Sequence, residues 1–300
     1  MKHVVSVSIG SSKRDKIAEI ELMGEKVRLE RIGTDGDMEK AAQLFKDLDG
    51  KVDALGVGGT DLGLMVDNHW YPLHSVSSLV RDVKKTPLAD GSGLKNTLER
   101  RAVPVLESKI KDYLDQVDRK VFVAVSLDRW GMAMSFIEAK YNCILGDFMF
   151  SLGIPFPIRQ PRAVKIYAAI LMPIVGRLPF SWIYPTGEKQ EQHTPKFHKY
   201  YNWASIIAGD CHYIKRFMPA GMDGKIVVTN TTTPDDVEFY RKQGVRYLMT
   251  TTPVLDGRSF GTNLMEAALI AVSGKNRPLT RTELNDMLDT MDLKPQLHTL

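Results

Sequence analysis

The second half of the chain alternates short apolar runs with segments of helical pattern, and this alternation constrains the fold most. Apolar runs without polar alternation are typical of strands that helices cover on both faces. The predicted strands are Val121–Val125, Phe180–Tyr184, Ser205–Ala208, Lys225–Val228 and Arg246–Met249. The predicted helices between them are Met132–Phe150, Arg162–Val175, Pro234–Gln243 and Asn263–Val272. This order predicts an α/β fold with a Rossmann-like, doubly wound and mostly parallel sheet.

The first part of the chain predicts a smaller α/β domain. Its predicted strands are Val4–Ile9, Lys16–Met23, Glu25–Arg31, Val52–Val57 and Thr86–Ala89. A predicted helix covers Asp37–Leu48, with Asp37 as its cap. A helical pattern then runs from Asn96 to Gln116 and is interrupted at Pro104. The charged stretch from Lys109 to Lys120 suggests a boundary, with an N-terminal domain over residues 1–117 on the substrate side. Residues 118–300 form the predicted nucleotide-binding domain, and we expect a cleft between the two.

Composition excludes several classes of protein. The net charge of +4 comes from mixed charges, whereas nucleic-acid binding needs clustered basic residues. Two cysteines are too few for a disulfide scaffold, and His193 and His198 are not spaced as a helical metal pair, so no metal is expected. The longest apolar stretch covers about eleven residues, half of what a membrane span needs. We expect a cytoplasmic protein with a small-molecule substrate and no nucleic-acid or membrane partner, and leave a homo-oligomer open.

Polar residues follow the predicted strands of the second domain, at the sheet edge where α/β proteins bind ligands. Helix N-termini at this edge favour an anion, and Arg129 and Arg258 are the natural charged partners, although a surface ion pair explains either arginine equally well. Thr233 is a good N-cap for the helix that begins at Pro234. Capping does not account for residues 229–232 upstream of it, so the edge predicts a polar ligand site.

A glycine-rich turn and several titratable residues are further candidates. Gly91-Ser92-Gly93 lies between a short strand and a helix, where it can cradle an anion that Lys95 neutralises; a turn without a ligand fits equally well. The turn lacks the Gly-Lys-Ser/Thr ending of a P-loop. The acid–base candidates follow predicted strands: Asp61, Lys95, Asp128, Asp210 and His212. Nothing positions a triad around Cys211 and His212, and a partly buried, satisfied histidine is the simpler interpretation.

Four strings carry a resemblance to a known family: residues 33–37 (GTDGD), 90–100 (DGSGLKNTLER), 184–187 (YPTG) and 257–263 (GRSFGTN). On these the chain as a whole resembles a bacterial family often called quinate 5-dehydrogenase. The resemblance implies oxidation of a cyclic polyol acid by a nicotinamide cofactor in a Rossmann-type domain. The chain lacks the Gly-Ala-Gly-Gly-Ala-type loop and the Asn-Val-Thr-x-Pro-x-Lys segment of the shikimate and quinate dehydrogenases. No catalytic residue is therefore carried over from them.

The leading hypothesis is an NAD(P)-dependent oxidoreductase that acts on a small, quinate-like hydroxylated acid, with NAD or NADP as cofactor. Lys95 would carry the hydroxyl proton and Asp61 would orient it. The predicted cofactor contacts are Ser126, Arg129, Gly131, Thr229, Asn230, Thr231, Thr250 and Thr251. The predicted substrate contacts are Gly91, Ser92, Gly93, Asn96, Arg258 and Asn263. Two alternatives use the same edge: a phosphate- or nucleotide-binding transferase, and a non-catalytic metabolite-binding protein.

Overall fold

The computed structural model describes residues 1–67, 69–178, 193–252, 254–255, 258–259 and 261–300, with the backbone alone at 254–255 and 258–259. The fold is mixed α/β, with two sheets built mainly of parallel strands. The chain divides into two compact units. Unit 1 includes Met1–Thr97 and residues 172–178 and 261–293, so the last turn of the helix over residues 161–175 belongs to it, and unit 2 includes Leu98–Leu171, residues 193–252 and Lys294–Leu300.

The strands in chain order are β1 (Lys2–Ser8), β2 (Lys16–Leu22), β3 (Glu25–Gly33), β4 (Ala54–Gly58), β5 (Gly63–Val66), β6 (His69–Pro72), β7 (Leu88–Ala89), β8 (Lys120–Val123), β9 (Asn142–Leu145), β10 (Ile206–Ala208), β11 (Ile226–Thr229), β12 (Tyr247–Thr250), β13 (Val254–Leu255), β14 (Arg258–Ser259) and β15 (Gln296–Thr299). The helices are α1 (Met38–Leu48), α2 (His74–Ser77), α3 (Ser92–Glu99), α4 (Ala102–Leu114), α5 (Trp130–Glu138), α6 (Asp147–Leu152), α7 (Pro161–Val175), α8 (His198–Trp203), α9 (Cys211–Phe217), α10 (Pro234–Lys242), α11 (Thr262–Ser273) and α12 (Arg281–Thr290).

The sheet of unit 1 has the order β2-β3-β1-β4-β7. Strands β3, β1, β4 and β7 are parallel, and β2 joins β3 as an antiparallel hairpin. Helix α11 packs across β1 and β4. Small residues permit this close approach: a Cβ on Gly56 would lie 3.1 Å from Asn263 Nδ2, which donates a hydrogen bond of 2.6 Å to Ser6 Oγ.

The sheet of unit 2 has the order β15-β12-β11-β10-β8-β9. Strands β8 to β12 are parallel, and β15 runs antiparallel to β12. Because β9 and β10 flank β8 on opposite sides, the strand order reverses at the carboxyl ends of β8 and β10. Numbered within the unit, the parallel order is 2-1-3-4-5, the flavodoxin-like arrangement, and not the 3-2-1-4-5-6 order of the classic dinucleotide-binding fold. The predicted α/β class with a mostly parallel sheet is confirmed, whereas the finer Rossmann-like description is not.

Most predicted elements of unit 1 and the strands near 205–208, 225–228 and 246–249 are confirmed. The single helix predicted over Met132–Phe150 is wrong. Helix α5 ends at Glu138, Lys140 turns the chain with a left-handed φ of 61°, and strand β9 precedes the short helix α6. Burial of Cys143, Ile144 and Leu145 in the sheet overrides the helical pattern. The strand predicted at Phe180–Tyr184 lies outside the described residues.

The predicted boundary at residues 117/118 also differs from the structure. The chain passes from unit 1 to unit 2 between Thr97 and Leu98, and residues 261–293 return to unit 1. The charged stretch near residue 115 is the exposed end of α4 and the turn after it, where Arg119 pairs with Glu107 at 3.2 Å. Within the part of the chain that the structure describes, no helix is long and apolar enough to cross a membrane.

Candidate functional site

The candidate site lies at the reversal of strand order in unit 2, a position where open α/β sheets bind ligands. Arg129 lies in the loop that follows β8. Asp210 follows β10 and caps helix α9, because its Oδ1 accepts a hydrogen bond of 2.9 Å from the backbone N–H of His212. Asn230 follows β11. Parallel strands thus bring these three side chains to one edge of the sheet.

A buried carboxylate holds the loop after β8 in place. Asp147, at the start of α6, accepts hydrogen bonds from Ser126 Oγ at 2.6 Å and from Leu127 N at 2.9 Å. Only 1% of Asp147 is exposed. Burial raises the pKa of Asp147, and the hydrogen bonds from Ser126, Leu127 and Tyr167 oppose that shift in part. The loop that carries Arg129 is therefore anchored to the next strand–helix connection.

Arg129 is surrounded by three carboxylates. Its Nη1 donates to Glu99 Oε1 at 2.8 Å, its Nη2 donates to Asp210 Oδ2 at 2.6 Å, and its Nε lies 3.1 Å from Asp128 Oδ2. Burial disfavours the charged guanidinium, but Asp128, Glu99 and Asp210 outweigh it and hold the pKa of Arg129 well above its usual value. Three carboxylates therefore surround the single guanidinium in this cluster, which we call the acidic cluster.

Asn230 and the threonines satisfy one another. Asn230 Nδ2 donates to Asp210 Oδ2 at 2.8 Å, while its Oδ1 accepts from Cys211 N at 3.1 Å and from Thr229 Oγ1 at 3.0 Å. Thr231 Oγ1 donates to Thr252 Oγ1 at 2.8 Å. The threonines predicted to contact a cofactor at positions 229, 250 and 251 are buried. The hydrogen bonds among Asn230 and these threonines therefore fix the backbone at the edge of the sheet.

The solvent-facing part of the cluster is acidic. The side chains of Asp128 and Asp210 are 23% and 15% exposed, whereas those of Arg129 and Glu99 are 9% and 0% exposed. A ligand at this edge therefore meets carboxylate oxygens first, and these accept hydrogen bonds. The guanidinium of Arg129 is paired with carboxylates of the protein itself, and its predicted role as the partner of an oxyanion stays a prediction.

Nucleophilic chemistry finds no support at this edge. Burial raises the pKa of the Cys211 thiol to about 12, so it is not a thiolate at neutral pH. The His212 side chain is exposed rather than partly buried as predicted. Among the described residues, no group of histidine, cysteine and carboxylate side chains is arranged to hold a metal ion.

In unit 1 the structure brings the predicted pair Lys95 and Asp61 together, with 3.0 Å between Nζ and Oδ2. Lys95 is on α3, and Asp61 follows β4. Both side chains are largely buried, with 9% and 18% exposed. Their roles in proton transfer stay a prediction, since an ion pair of this kind also forms for structural reasons alone.

The protein's own carboxylates occupy the glycine-rich turn that was predicted to hold an anion. Asp90 Oδ1 accepts from Ser92 N at 3.0 Å, and Glu266 Oε2 accepts from Leu94 N at 2.9 Å. A Cβ on Gly93 would lie 2.7 Å from Glu266 Oε1, so the glycine makes room for that carboxylate. The N-terminus of α3 already has its negative charge, and these N–H groups are not available to a ligand.

The remaining predicted residues fall elsewhere. Asn96 Nδ2 donates to Ser92 O within α3, and Asn263 binds Ser6 beneath α11. Gly131 is buried in the first turn of α5. The side chain of Arg258 lies outside the described residues.

Sequence reasoning missed three buried acids: Glu99, Asp147 and Glu266. For Glu266 a signal existed, because it is a single acid within the apolar run Leu264-Met265-Glu266-Ala267-Ala268. An acid in such a run must find hydrogen-bond donors or be protonated.

A family model described as a domain of unknown function, DUF8754, matches residues 93–300. The chain belongs to this family. A second model, also described as a domain of unknown function, DUF8753, matches residues 3–90. No curated protein matches the chain. Neither description states an activity, so the resemblance to the quinate 5-dehydrogenase family stays a prediction.

Solved structures with a related arrangement share little sequence with this chain. A galactofuranose-binding protein is 11% identical, with a TM-score of 0.41, and the match covers 100% of this chain and 95% of that one. A periplasmic solute-binding protein of an ABC transporter from Actinobacillus succinogenes, with bound D-allose, is 10% identical, with a TM-score of 0.38 and coverage of 95% and 100%. The malic enzyme of Entamoeba histolytica is 10% identical, with a TM-score of 0.42 and coverage of 95% and 61%.

The prediction of an NAD(P)-dependent oxidoreductase with quinate dehydrogenase-like activity is corrected. The edge expected to hold a nicotinamide nucleotide presents the carboxylates of Asp128 and Asp210 to solvent, and these disfavour a pyrophosphate.

Proposed function

We propose that this protein is a non-catalytic binding protein for a small, neutral, polyhydroxylated metabolite of the size of a sugar or cyclitol. The observation that carries the proposal is the acidic cluster of Arg129, Asp128, Asp210 and Glu99 at the strand-order reversal of unit 2. Small-molecule sites in open α/β sheets concentrate at this position.

The charge of the cluster selects the ligand class. Asp128 and Asp210 present acceptor oxygens to solvent, while Arg129 and Asn230 hold them in place from behind. A hydroxyl group donates one hydrogen bond and accepts others, so vicinal hydroxyls match paired carboxylates. A carboxylate or phosphate ligand would bring a further negative charge next to the exposed carboxylates of Asp128 and Asp210, and we expect it to bind more weakly than a neutral polyol.

The geometry also favours binding without chemistry. Asp210 and Asn230 at this edge are fixed by hydrogen bonds to the first N–H groups of α9, and its one thiol is buried with a raised pKa. Acyl or phosphoryl transfer needs a positioned nucleophile–base pair or a cradle of free N–H groups. The described residues of the edge offer neither arrangement.

The test is calorimetric titration of the full chain with D-allose, D-arabinose and myo-inositol, against quinate, NAD⁺, NADPH and inorganic phosphate. Binding of a neutral polyol and not of the anions supports the proposal. The change Asp128→Asn should weaken that binding at least tenfold, because an amide replaces one carboxylate acceptor by a donor. The matched control is Asp118→Asn, whose carboxylate is 68% exposed on the surface of the same unit and should leave binding unchanged.

Binding of a nicotinamide nucleotide or of phosphate, with no response to any neutral polyol, would refute the proposed ligand class. Equal polyol affinity in the Asp128 and Asp118 variants would refute the proposed location.

A further inference from the structure

A row of isoleucines lies exposed on helix α7. Ile166, Ile170 and Ile174 recur every four residues, and each is 63% exposed. This spacing places them along one face of the helix. The opposite face is buried at Val164 and Ala168, so α7 packs with its other side and presents the isoleucines to solvent.

The loop before α7 adds to this apolar surface. Leu152, Ile154 and Phe156 are 57%, 51% and 58% exposed. Phe148 joins the loop to the helix, since its ring centroid lies 6.0 Å from that of Phe156 and 5.0 Å from that of Tyr167. We call the exposed residues Leu152, Ile154, Phe156, Ile166 and Ile170 the apolar face of unit 2. Contiguous exposed apolar side chains of this kind mark contact surfaces.

The segment that carries the apolar face has charges of one sign. Between Asp147 and Glu188 the sequence contains no aspartate or glutamate, and within unit 2 this segment contributes three basic residues: Arg159, Arg162 and Lys165. Arg162 is exposed one turn before Ile166, on the same side of α7. An apolar surface with basic residues beside it complements a partner surface whose apolar interior lies beneath a layer of negative charge.

We propose that the apolar face docks on an anionic lipid bilayer surface, with the isoleucines in the headgroup–acyl boundary and the basic residues at the lipid phosphates. Helices with an apolar face and basic flanks bind membranes in this way without crossing them. A second copy of this chain fits less well. In a two-fold contact this face meets its own copy, and its basic residues would oppose one another without an acidic residue from the same segment.

This proposal changes one expectation from the sequence, where a membrane partner was excluded because no apolar stretch is long enough to span a bilayer. Surface docking needs no span. The inference is independent of the proposed ligand site, because none of the residues of the apolar face belongs to the acidic cluster.

The test is co-sedimentation of the full chain with vesicles of phosphatidylcholine alone and of phosphatidylcholine with 30% phosphatidylserine. We expect binding to the anionic vesicles that weakens in 0.5 M NaCl. The double change Ile166→Gln and Ile170→Gln should raise the lipid concentration for half-maximal binding at least tenfold. The matched control is Ile17→Gln on strand β2, an isoleucine that is 58% exposed in unit 1 and should leave binding unchanged. Circular dichroism melting of each variant verifies that it is folded.

A second variant keeps the test independent of the apolar residues. Arg162→Gln should reduce binding to the anionic vesicles and leave the melting temperature unchanged. Absence of binding to the anionic vesicles, equal binding to neutral vesicles, or full binding by the double variant would each overturn the proposal. A dimer in sedimentation velocity that the double variant abolishes, without vesicle binding, would assign the face to a second copy and also overturn it.

Discussion

Arg129 shows how a single buried charge organises the candidate site. Its guanidinium joins Glu99, which is fully buried, to Asp210 at the strand end. The sequence predicts Arg129 after strand β8, where the structure has it, and leaves open whether its charge meets an external anion or an ion pair. The partners that take its charge, Glu99 and Asp210, lie 30 and 81 residues away along the chain. No local pattern reveals such a pairing.

Removing the guanidinium should destabilise the protein strongly. Arg129→Met removes the guanidinium that pairs with the buried carboxylate of Glu99, and breaking a buried ion pair in this way costs about 3–5 kcal/mol of the free energy of unfolding. The matched control is Arg241→Met, because Arg241 and Glu238 pair on the surface with side chains 52% and 48% exposed. That change should cost less than about 1 kcal/mol. Urea denaturation at pH 7 measures both, and equal losses in the two variants would contradict the role given to Arg129.

At the scale of elements, the sequence predicts best those helix ends that depend only on residues of the same helix. The cap at Thr233 is confirmed, and its hydroxyl and the carboxylate of Asp236 form a reciprocal capping box. The sequence predicts least well those helix ends whose N–H groups are capped by residues of a second element. Helix α3 begins at Ser92 rather than near Asn96, because Asp90 and Glu266 of α11 supply carboxylates to its first N–H groups. Gly93 makes room for the carboxylate of Glu266, and a sequence pattern does not distinguish such an internal carboxylate from a bound ligand.

The cap that α11 provides to α3 makes stability depend on pH. Burial raises the pKa of Glu266 from 4.5 to about 7, with Asp90 and Asp61 adding to the shift and the Leu94 and Gly93 N–H groups opposing it. Between these two pH values the folded protein holds a proton that the unfolded chain has lost. The free energy of unfolding should therefore fall as pH rises from 4.5 to 7, by up to about 3 kcal/mol from this group.

Glu266→Gln tests this dependence, because an amide oxygen can still accept from Leu94 N but does not titrate. Denaturation of both proteins at pH 5 and pH 8 should show a smaller loss of stability in the variant. The same loss in both proteins would show that Glu266 is ionised throughout this range and would contradict its raised pKa.

At the scale of the whole molecule, the α/β class was predictable because buried parallel strands read as short apolar runs. The division into two units was not. Residues 261–293 follow the last predicted strand of unit 2, yet α11 packs across the sheet of unit 1. Because the chain returns to unit 1 after it has formed most of unit 2, no single linker of distinct composition marks the boundary between the units. The strand order, on which the position of the ligand site depends, likewise follows from pairing between distant segments.

The proposed function places a neutral polyol at the strand-order reversal of unit 2. Hydrogen–deuterium exchange of the full chain, without ligand and with D-allose, myo-inositol or NADPH, tests the position of the ligand and its chemistry together. We expect slower exchange with a polyol in peptides that cover residues 126–131 and 209–212, and no change there with NADPH. Protection of these peptides by NADPH alone, or polyol protection confined to the turn at residues 90–96, would contradict it.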